Sequence, residues 1–165
     1  MSLALASPGY SLADLHFDAV PHRYVVHSRE LPSVTHIMRE LELGFVGFAP
    51  EEALARGQYI HEASVLIDEG ELDWDAVPEK WRGYCESYRR TLIETRSKPF
   101  RAEWRFWHPR FGYAGTLDRI VLRDGRFGLI EIKTGSTRHV HIQGGGYVEG
   151  WHYWNPPPAL PSAGE

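Results

Sequence analysis

Residues 113–136 read YAGTLDRIVLRDGRFGLIEIKTGS, and the Asp124-Gly125 pair at the centre of this stretch determines how its charged side chains meet. Asp-Gly between two alternating apolar runs is a strong β-hairpin signal, because a two-residue turn needs positive φ at its central positions. That turn places Asp118 directly opposite Glu131. Alternate residues of a strand share one face of the sheet, so Lys133 lies on the same face as both carboxylates. The sequence therefore predicts two acids and an amine at one point of a sheet.

Two opposed carboxylates repel each other and destabilise a sheet, so the requirements of folding do not explain the pair formed by Asp118 and Glu131. A divalent cation bound between them would make the pair favourable. Oxygen ligands of this kind suit Mg²⁺ or Mn²⁺, whereas sets of thiolates or imidazoles suit Zn²⁺ or copper. The alternative is a surface hairpin on which Asp118, Glu131 and Lys133 form a salt-bridge patch.

A further strand is predicted directly before the hairpin. Residues 101–107, RAEWRFW, alternate polar and apolar, and residues 108–112, HPRFG, contain the Pro and Gly of a turn. A turn symmetric about its centre would place Glu103 opposite Asp118. One added loop residue would instead turn Glu103 to the other face, where it would pair with arginine on a solvated surface.

Helical patterns account for much of the remaining chain. A serine that can cap a helix, a proline at a first turn and apolar residues at helical spacing mark their positions. Helices are expected over residues 33–43, 50–68, 78–96 and 138–152, with strands within 10–29 and a Gly-Phe-rich loop at 44–50. The expected fold is of the α/β type, mixed α+β, with a central mixed β-sheet flanked by helices.

The composition is that of a globular protein. The chain has 165 residues, 42% of them hydrophobic, which is enough for a substantial core in one domain. We expect that domain to span residues 1–152 and the Pro-rich segment 153–165 to be a disordered tail. No apolar run approaches the roughly 20 residues that span a bilayer, and no secretory signal is recognisable, so a cytoplasmic protein without a membrane partner is expected.

The charge balance argues against one class of protein. The formal net charge is −4 and the pI about 6.1, unlike the strongly basic surface of proteins that hold DNA mainly through its phosphates. This balance disfavours tight, autonomous DNA binding. It disfavours nuclease activity less, because metal-binding acids lower the net charge themselves and a bound cation restores positive potential locally.

GTLDRI at 115–120, followed by EIKTG at 131–135, resembles the signature of the PD-(D/E)xK nuclease superfamily, particularly its RecB-like and phage-type exonuclease branch. Three further segments resemble that branch in the same order: LPSVTHIM at 31–38, the Arg-Gly-x-x-x-His pattern within RGQYIHEA at 56–63, and the Gln-x-x-x-Tyr pattern within HIQGGGYVEGW at 141–151. Their common order makes the resemblance specific. It implies a restriction-endonuclease-like core.

The resemblance also implies a metal site. Asp118 and Glu131 would ligate one or two Mg²⁺ or Mn²⁺ ions together with the backbone carbonyl of Ile132. His61 would be a further ligand, and so would Glu103 in the register described above. Because imidazole is a less natural ligand for Mg²⁺ than carboxylate, His61 makes a preference for Mn²⁺ plausible.

Three other residues are implied to act in catalysis. Lys133 would orient or deprotonate the attacking water, or stabilise the developing negative charge. Gln143 and Tyr147 lie four residues apart, hence on one helix face, and would orient the lysine, the substrate strand or both. Between them stand three consecutive glycines, which are unfavourable in a helix, so a frayed or kinked segment is expected there.

The function expected from these features is that of a metal-dependent DNA nuclease, a phosphodiester hydrolase. The resemblance implies an exonuclease of recombination, repair or phage DNA processing, in the cytoplasm of a bacterium or of a phage-infected cell. A helicase or an annealing protein would be its partner. The alternative is a catalytically inactive module that binds nucleic acid or acts as a scaffold while retaining the nuclease fold.

Overall fold

The computed structural model describes residues 9–43, 50–135 and 137–156. Within these ranges the elements follow one another as β1 (Leu15–Asp18), β2 (Arg23–Val26), β3 (Arg29–Leu31), α1 (Val34–Glu40), α2 (Glu51–Glu69), α3 (Glu79–Glu94), β4 (Lys98–His108), β5 (Tyr113–Arg123), β6 (Arg126–Ile130) and α4 (Val140–Trp154). The loop expected at 44–50, apart from its last residue, lies outside the described residues, and so do residues 157–165 of the tail expected at 153–165. The first two residues of that expected tail, Tyr153 and Trp154, belong to α4.

The strands form two antiparallel sheets of three strands each, ordered β1-β2-β3 and β4-β5-β6. The mixed α+β class is confirmed, but the expected single central mixed sheet is corrected to two antiparallel sheets. The reason is that short turns join consecutive strands within each sheet, and such turns allow antiparallel pairing only. One parallel bridge, between Ser33 and Ala114, links the end of β3 to the start of β5. The restriction-endonuclease-like core stays a prediction.

The β5–β6 hairpin has the predicted register. Arg123 pairs with Arg126 and Arg119 with Ile130, across a turn in which Asp124 and Gly125 have φ of 48° and 74°. Strand β6 ends at Ile130, however, whereas the alternation predicted a strand to residue 134. The backbone N–H of Ile132 donates to a carboxylate rather than to a strand carbonyl, which ends the ladder.

The β4–β5 pairing also follows the predicted register around Glu103. Trp104 pairs with Leu117 and Ala102 with Arg119, so Glu103 lies opposite Asp118. Its φ of 47° places the backbone of Glu103 in the left-handed region. Residues other than glycine adopt this region rarely, and when they do they often lie at a functional position.

The helices flank the second sheet. Ile120 belongs to a core cluster with residues of α1 and α4, whereas its neighbour Val121 packs with Tyr88 and Leu92 of α3. Neighbouring strand residues point to opposite faces, so α1 and α4 cover one side of the sheet and α3 covers the other. Of the apolar residues at helical spacing on α3, Cys85, Tyr88 and Leu92 are buried, whereas Tyr84 is exposed.

Helix α4 continues through the three glycines, and the interruption expected there is not observed. Packing explains why glycine is tolerated at two positions of this helix. A Cβ at Gly146 would lie 3.1 Å from Val34, and one at Gly150 would lie only 1.9 Å from the ring of Phe106. The absence of side chains therefore lets α4 approach α1 and β4 closely, which offsets the low helix propensity of glycine.

Among the described residues, no helix combines the length and the apolar character that a membrane crossing requires.

Candidate metal and catalytic site

Three predicted metal ligands from three elements meet at one point. His61 of α2, Glu103 of β4 and Asp118 of β5 each offer one ligand atom, and these atoms lie within 4.8 Å of one another. His61 Nδ1 is 3.5 Å from Asp118 Oδ1 and 3.8 Å from Glu103 Oε1. The β4–β5 register brings the two acids together, and the packing of α2 adds the imidazole. This group could hold a metal ion.

The charges of these three residues depend on one another. The nearby Glu103 carboxylate raises the pKa of His61, and His61 in turn holds the pKa of Glu103 below its ordinary value. Burial raises the pKa of Asp118, an effect that His61 partly opposes. A metal ligand must be a neutral imidazole or an ionised carboxylate, so metal binding to this group would release protons.

Glu131 lies in the same cavity, and its two carboxylate oxygens have different surroundings. Its Oε1 accepts hydrogen bonds from Lys133 Nζ at 2.9 Å and from Gln143 Nε2 at 2.7 Å. Its Oε2 is buried and has no hydrogen-bond partner among the described residues. Burial, with a smaller contribution from the Asp118 carboxylate, raises the pKa of Glu131 to about 7. A buried carboxylate oxygen in this setting, beside other acids, could be satisfied by a bound divalent cation.

Ile132 lies at the site because of its backbone. Its N–H donates a 2.7 Å hydrogen bond to Asp118 Oδ2, which leaves Asp118 Oδ1 directed at His61. This bond fixes the orientation of the carboxylate. The role of the Ile132 carbonyl oxygen as a ligand stays a prediction.

Gln143 and Tyr147 share one face of α4, as their spacing predicted. Gln143 Nε2 donates to the Tyr147 hydroxyl at 2.8 Å as well as to Glu131, and both side chains are buried. Burial raises the pKa of Tyr147, so its hydroxyl stays protonated and can itself donate. The pair therefore holds the Glu131 carboxylate from α4, while Lys133 holds it from the chain beyond β6.

Arg119, which was not predicted as a site residue, lies at the centre of a buried network behind the site. Arg119 is 0% exposed. It donates to the carbonyl oxygen of Asp118 at 2.6 Å, to Ser64 Oγ at 2.6 Å, and to the carboxylate of Asp68. Asp68 also accepts a hydrogen bond from the Tyr88 hydroxyl at 2.7 Å. A buried guanidinium requires such partners, and here they tie α2 and α3 to β5.

The same network fixes the helix that carries His61. Ser64 Oγ donates to the carbonyl oxygen of His61 at 2.6 Å while it accepts from Arg119. Ser64 and Asp68 follow His61 by three and seven residues, which is the spacing of one helix face. In the sequence, this network is indicated only by that spacing and by an arginine within the apolar run LDRIVL.

The site opens into a cavity of about 450 Å³. Its walls include all the predicted site residues with side-chain roles, namely His61, Glu103, Asp118, Glu131, Lys133, Gln143 and Tyr147. Residues of the first sheet, described below, complete the cavity.

Comparisons of the chain with protein-family models, with curated proteins and with solved structures found no match.

Proposed function

We propose that this protein is a divalent-metal-dependent deoxyribonuclease that hydrolyses phosphodiester bonds. The observation that carries the proposal is the convergence of His61, Glu103 and Asp118 beside Glu131, whose Oε2 is buried without a partner among the described residues. An amine, Lys133 Nζ, lies 2.9 Å from that same carboxylate. Acids, imidazole and amine in one cavity are the groups that metal-assisted hydrolysis uses.

The metal would be held by His61, Glu103, Asp118 and Glu131. Three carboxylates and one imidazole suit Mn²⁺ or Mg²⁺. When bound, such an ion polarises the phosphate and lowers the pKa of a coordinated water. The like charges of Asp118 and Glu131, which are unfavourable without a cation, support this assignment.

Lys133 is the residue that we assign to the hydrolysis step itself. Its amine contacts Glu131, and its side chain, which is 28% exposed, also lines the cavity. From there the amine can orient or deprotonate a water, or stabilise negative charge that develops on the phosphate.

Gln143 and Tyr147 position Glu131. The amide of Gln143 occupies the Oε1 side of the carboxylate, which leaves Oε2 free for the cation. Tyr147 fixes the amide in turn through the hydroxyl contact. These two residues act through Glu131 and are positioning residues.

The wider role is an exonuclease that processes DNA ends in recombination, repair or phage DNA metabolism. It would act in the cytoplasm of a bacterium or of a phage-infected cell, beside a helicase or an annealing protein. The net charge of −4 favours delivery by such a partner, because the chain has little positive field of its own to attract DNA. The same charge also favours the second candidate, a scaffold that retains the fold without cleaving.

One experiment separates these candidates. Purified protein is incubated with end-labelled linear DNA and with closed circular DNA, each in Mg²⁺, Mn²⁺ or EDTA. We expect metal-dependent loss of the linear substrate, with release of the label, while circular DNA persists. Cleavage of the circle would show an endonuclease instead. Absence of cleavage of either substrate in either metal would contradict the nuclease proposal and support the scaffold.

A further inference from the structure

Part of the wall of the cavity that holds the acids is aromatic. It is formed by Phe17 of β1, Tyr24 of β2 and His22 in the turn between these strands. The ring centroid of Phe17 lies 4.9 Å from that of Tyr24 and 5.1 Å from that of His22. His22 is exposed and Phe17 half-buried, whereas Tyr24 is buried and supports the other two rings from behind.

A cation completes this wall. The guanidinium of Arg105 lies 4.5 Å from the ring centroid of Phe17. Arg105 is on β4, two residues after Glu103, and it lines the same cavity. A guanidinium and aromatic rings offer flat faces on which nucleic acid bases stack.

A long-range hydrogen bond fixes the aromatic wall relative to the acids. The hydroxyl of Tyr24 and Thr116 Oγ1 are 2.8 Å apart, although the residues are 92 positions apart in the sequence. Thr116 stands two residues before Asp118 on β5. The aromatic wall is therefore tied to the strand that carries Asp118, and both line the cavity of about 450 Å³.

A second cavity, of about 570 Å³, adjoins the first. His22, Tyr24, Ser33 and Thr35 line both cavities. The second cavity adds the cationic side chains of Arg23 and Arg39, with Glu30 as the one carboxylate in its lining among the described residues. Arg23 forms ion pairs with Asp18 at 3.4 Å and with Glu30 at 3.9 Å, so Arg39 supplies the net positive charge of this lining, which suits a phosphate of an extended polyanion.

We propose that Phe17 and His22, backed by the buried ring of Tyr24 and joined by Arg105, stack an unpaired base, so that the substrate enters the site as single-stranded DNA. This inference rests on the proposed function. A base within a duplex is covered on both faces by its neighbours, and it reaches protein rings only after it leaves the stack. The phosphates that follow the stacked nucleotide would continue into the cavity with Arg23 and Arg39.

Equilibrium binding tests the proposal without cleavage. The full chain is titrated against a fluorescein-labelled single-stranded oligonucleotide and against a blunt hairpin duplex of the same sequence, in Ca²⁺ and in EDTA. We expect Phe17→Leu, which keeps an apolar side chain but removes the ring, to weaken single-strand binding roughly tenfold, the typical effect of losing one stacked base. Phe17→Tyr should retain the wild-type affinity. Phe100→Leu is the matched control, because Phe100 is 58% exposed and does not line the cavity.

A substrate variant separates stacking from a structural effect. Abasic sites are placed one at a time along the oligonucleotide. At the position of the stacked base, we expect the abasic site to weaken binding by wild type but to have little further effect on binding by Phe17→Leu. The inference is overturned if wild type binds the duplex as tightly as the single strand, or if it binds neither. It is also overturned if the difference in affinity between wild type and Phe17→Leu is the same at every abasic position. Cleavage with unchanged affinity in Phe17→Leu would overturn the inference alone. Selective single-strand binding without cleavage in any metal would overturn only the nuclease proposal.

Discussion

Arg119 donates a hydrogen bond to the backbone carbonyl of Asp118 at 2.6 Å. A fully buried guanidinium therefore holds the backbone of a candidate metal ligand. The same guanidinium holds Ser64 and Asp68 on α2, the helix that carries His61. The guanidinium also lies 3.8 Å from the Glu103 carboxylate, so one buried side chain contacts or supports all three converging ligands.

Removal of this guanidinium is expected to be costly. Arg119→Met leaves Asp68 buried without its cation, and breaking a buried ion pair typically costs about 3–5 kcal/mol of unfolding free energy. The double variant Arg119→Met with Asp68→Asn should recover part of that loss, because no unpaired buried charge remains. Urea unfolding of the three proteins gives the free energies. Equal stability of wild type and Arg119→Met would contradict the role of the network.

The lysine is expected to act in the chemistry rather than in metal binding. Lys133→Ala should lower the cleavage rate by at least about 100-fold, the usual scale for the loss of a positioned acid–base group, while the affinity for Mn²⁺ changes little. Lys80→Ala is the control, because Lys80 is an exposed lysine whose ion pair with Glu52 lies on the surface. Full Mn²⁺-dependent cleavage by Lys133→Ala would refute the assignment.

The glycines of α4 are expected to differ sharply. At Gly150 a Cβ would come within 1.9 Å of Phe106, so Gly150→Ala should destabilise the fold by about 1–3 kcal/mol, the usual cost of overpacking a core. At Gly145 nothing lies within 4 Å of the added Cβ, so Gly145→Ala should stabilise the helix by up to about 1 kcal/mol. Thermal unfolding of both variants measures the difference. Similar melting temperatures for the two would contradict the packing of α4.

The stability of the metal-free protein is expected to fall as the pH rises. The pKa of Glu131 is raised from 4.5 to about 7, so its protonated form favours the folded state. That contribution is fully present below pH 4.5 and is lost as the pH rises through about 7. Its size is on the order of 1–3 kcal/mol.

Two comparisons identify the source of this dependence. Urea unfolding in EDTA across this range should show a smaller decrease for Glu131→Gln, which cannot ionise. Saturating Mn²⁺ should reverse the trend, because the ionised carboxylates are the ligands and binding to the folded state stabilises it. An identical pH dependence in Glu131→Gln would show that other groups cause it.

Local signals in the sequence predicted the second sheet and the acidic corner. The Asp124-Gly125 turn fixed one register, and alternation on either side of the next turn placed Glu103 opposite Asp118, as observed. Register follows from turn geometry and the two-residue period of strands, both of which are local properties.

The remaining features depend on contacts between distant segments. Arg119 contacts Ser64 and Asp68 across more than 50 positions, and Tyr24 meets Thr116 across 92. No local pattern encodes such pairings. The continuity of α4 was mispredicted for the same reason, because the propensity of glycine is a local quantity, whereas its packing against Phe106 is set by the tertiary fold.

Titration of the metal-free protein with Mn²⁺, followed by calorimetry or by the paramagnetic resonance of the free ion, tests the central claim most directly. We expect one or two Mn²⁺ ions to bind per chain, with proton release, and binding to be weakened strongly in Asp118→Asn and in His61→Ala. Glu52→Gln, which alters an exposed acid on the surface of α2, should bind as wild type does. Absence of Mn²⁺ binding, or equal binding by wild type and Asp118→Asn, would contradict the account.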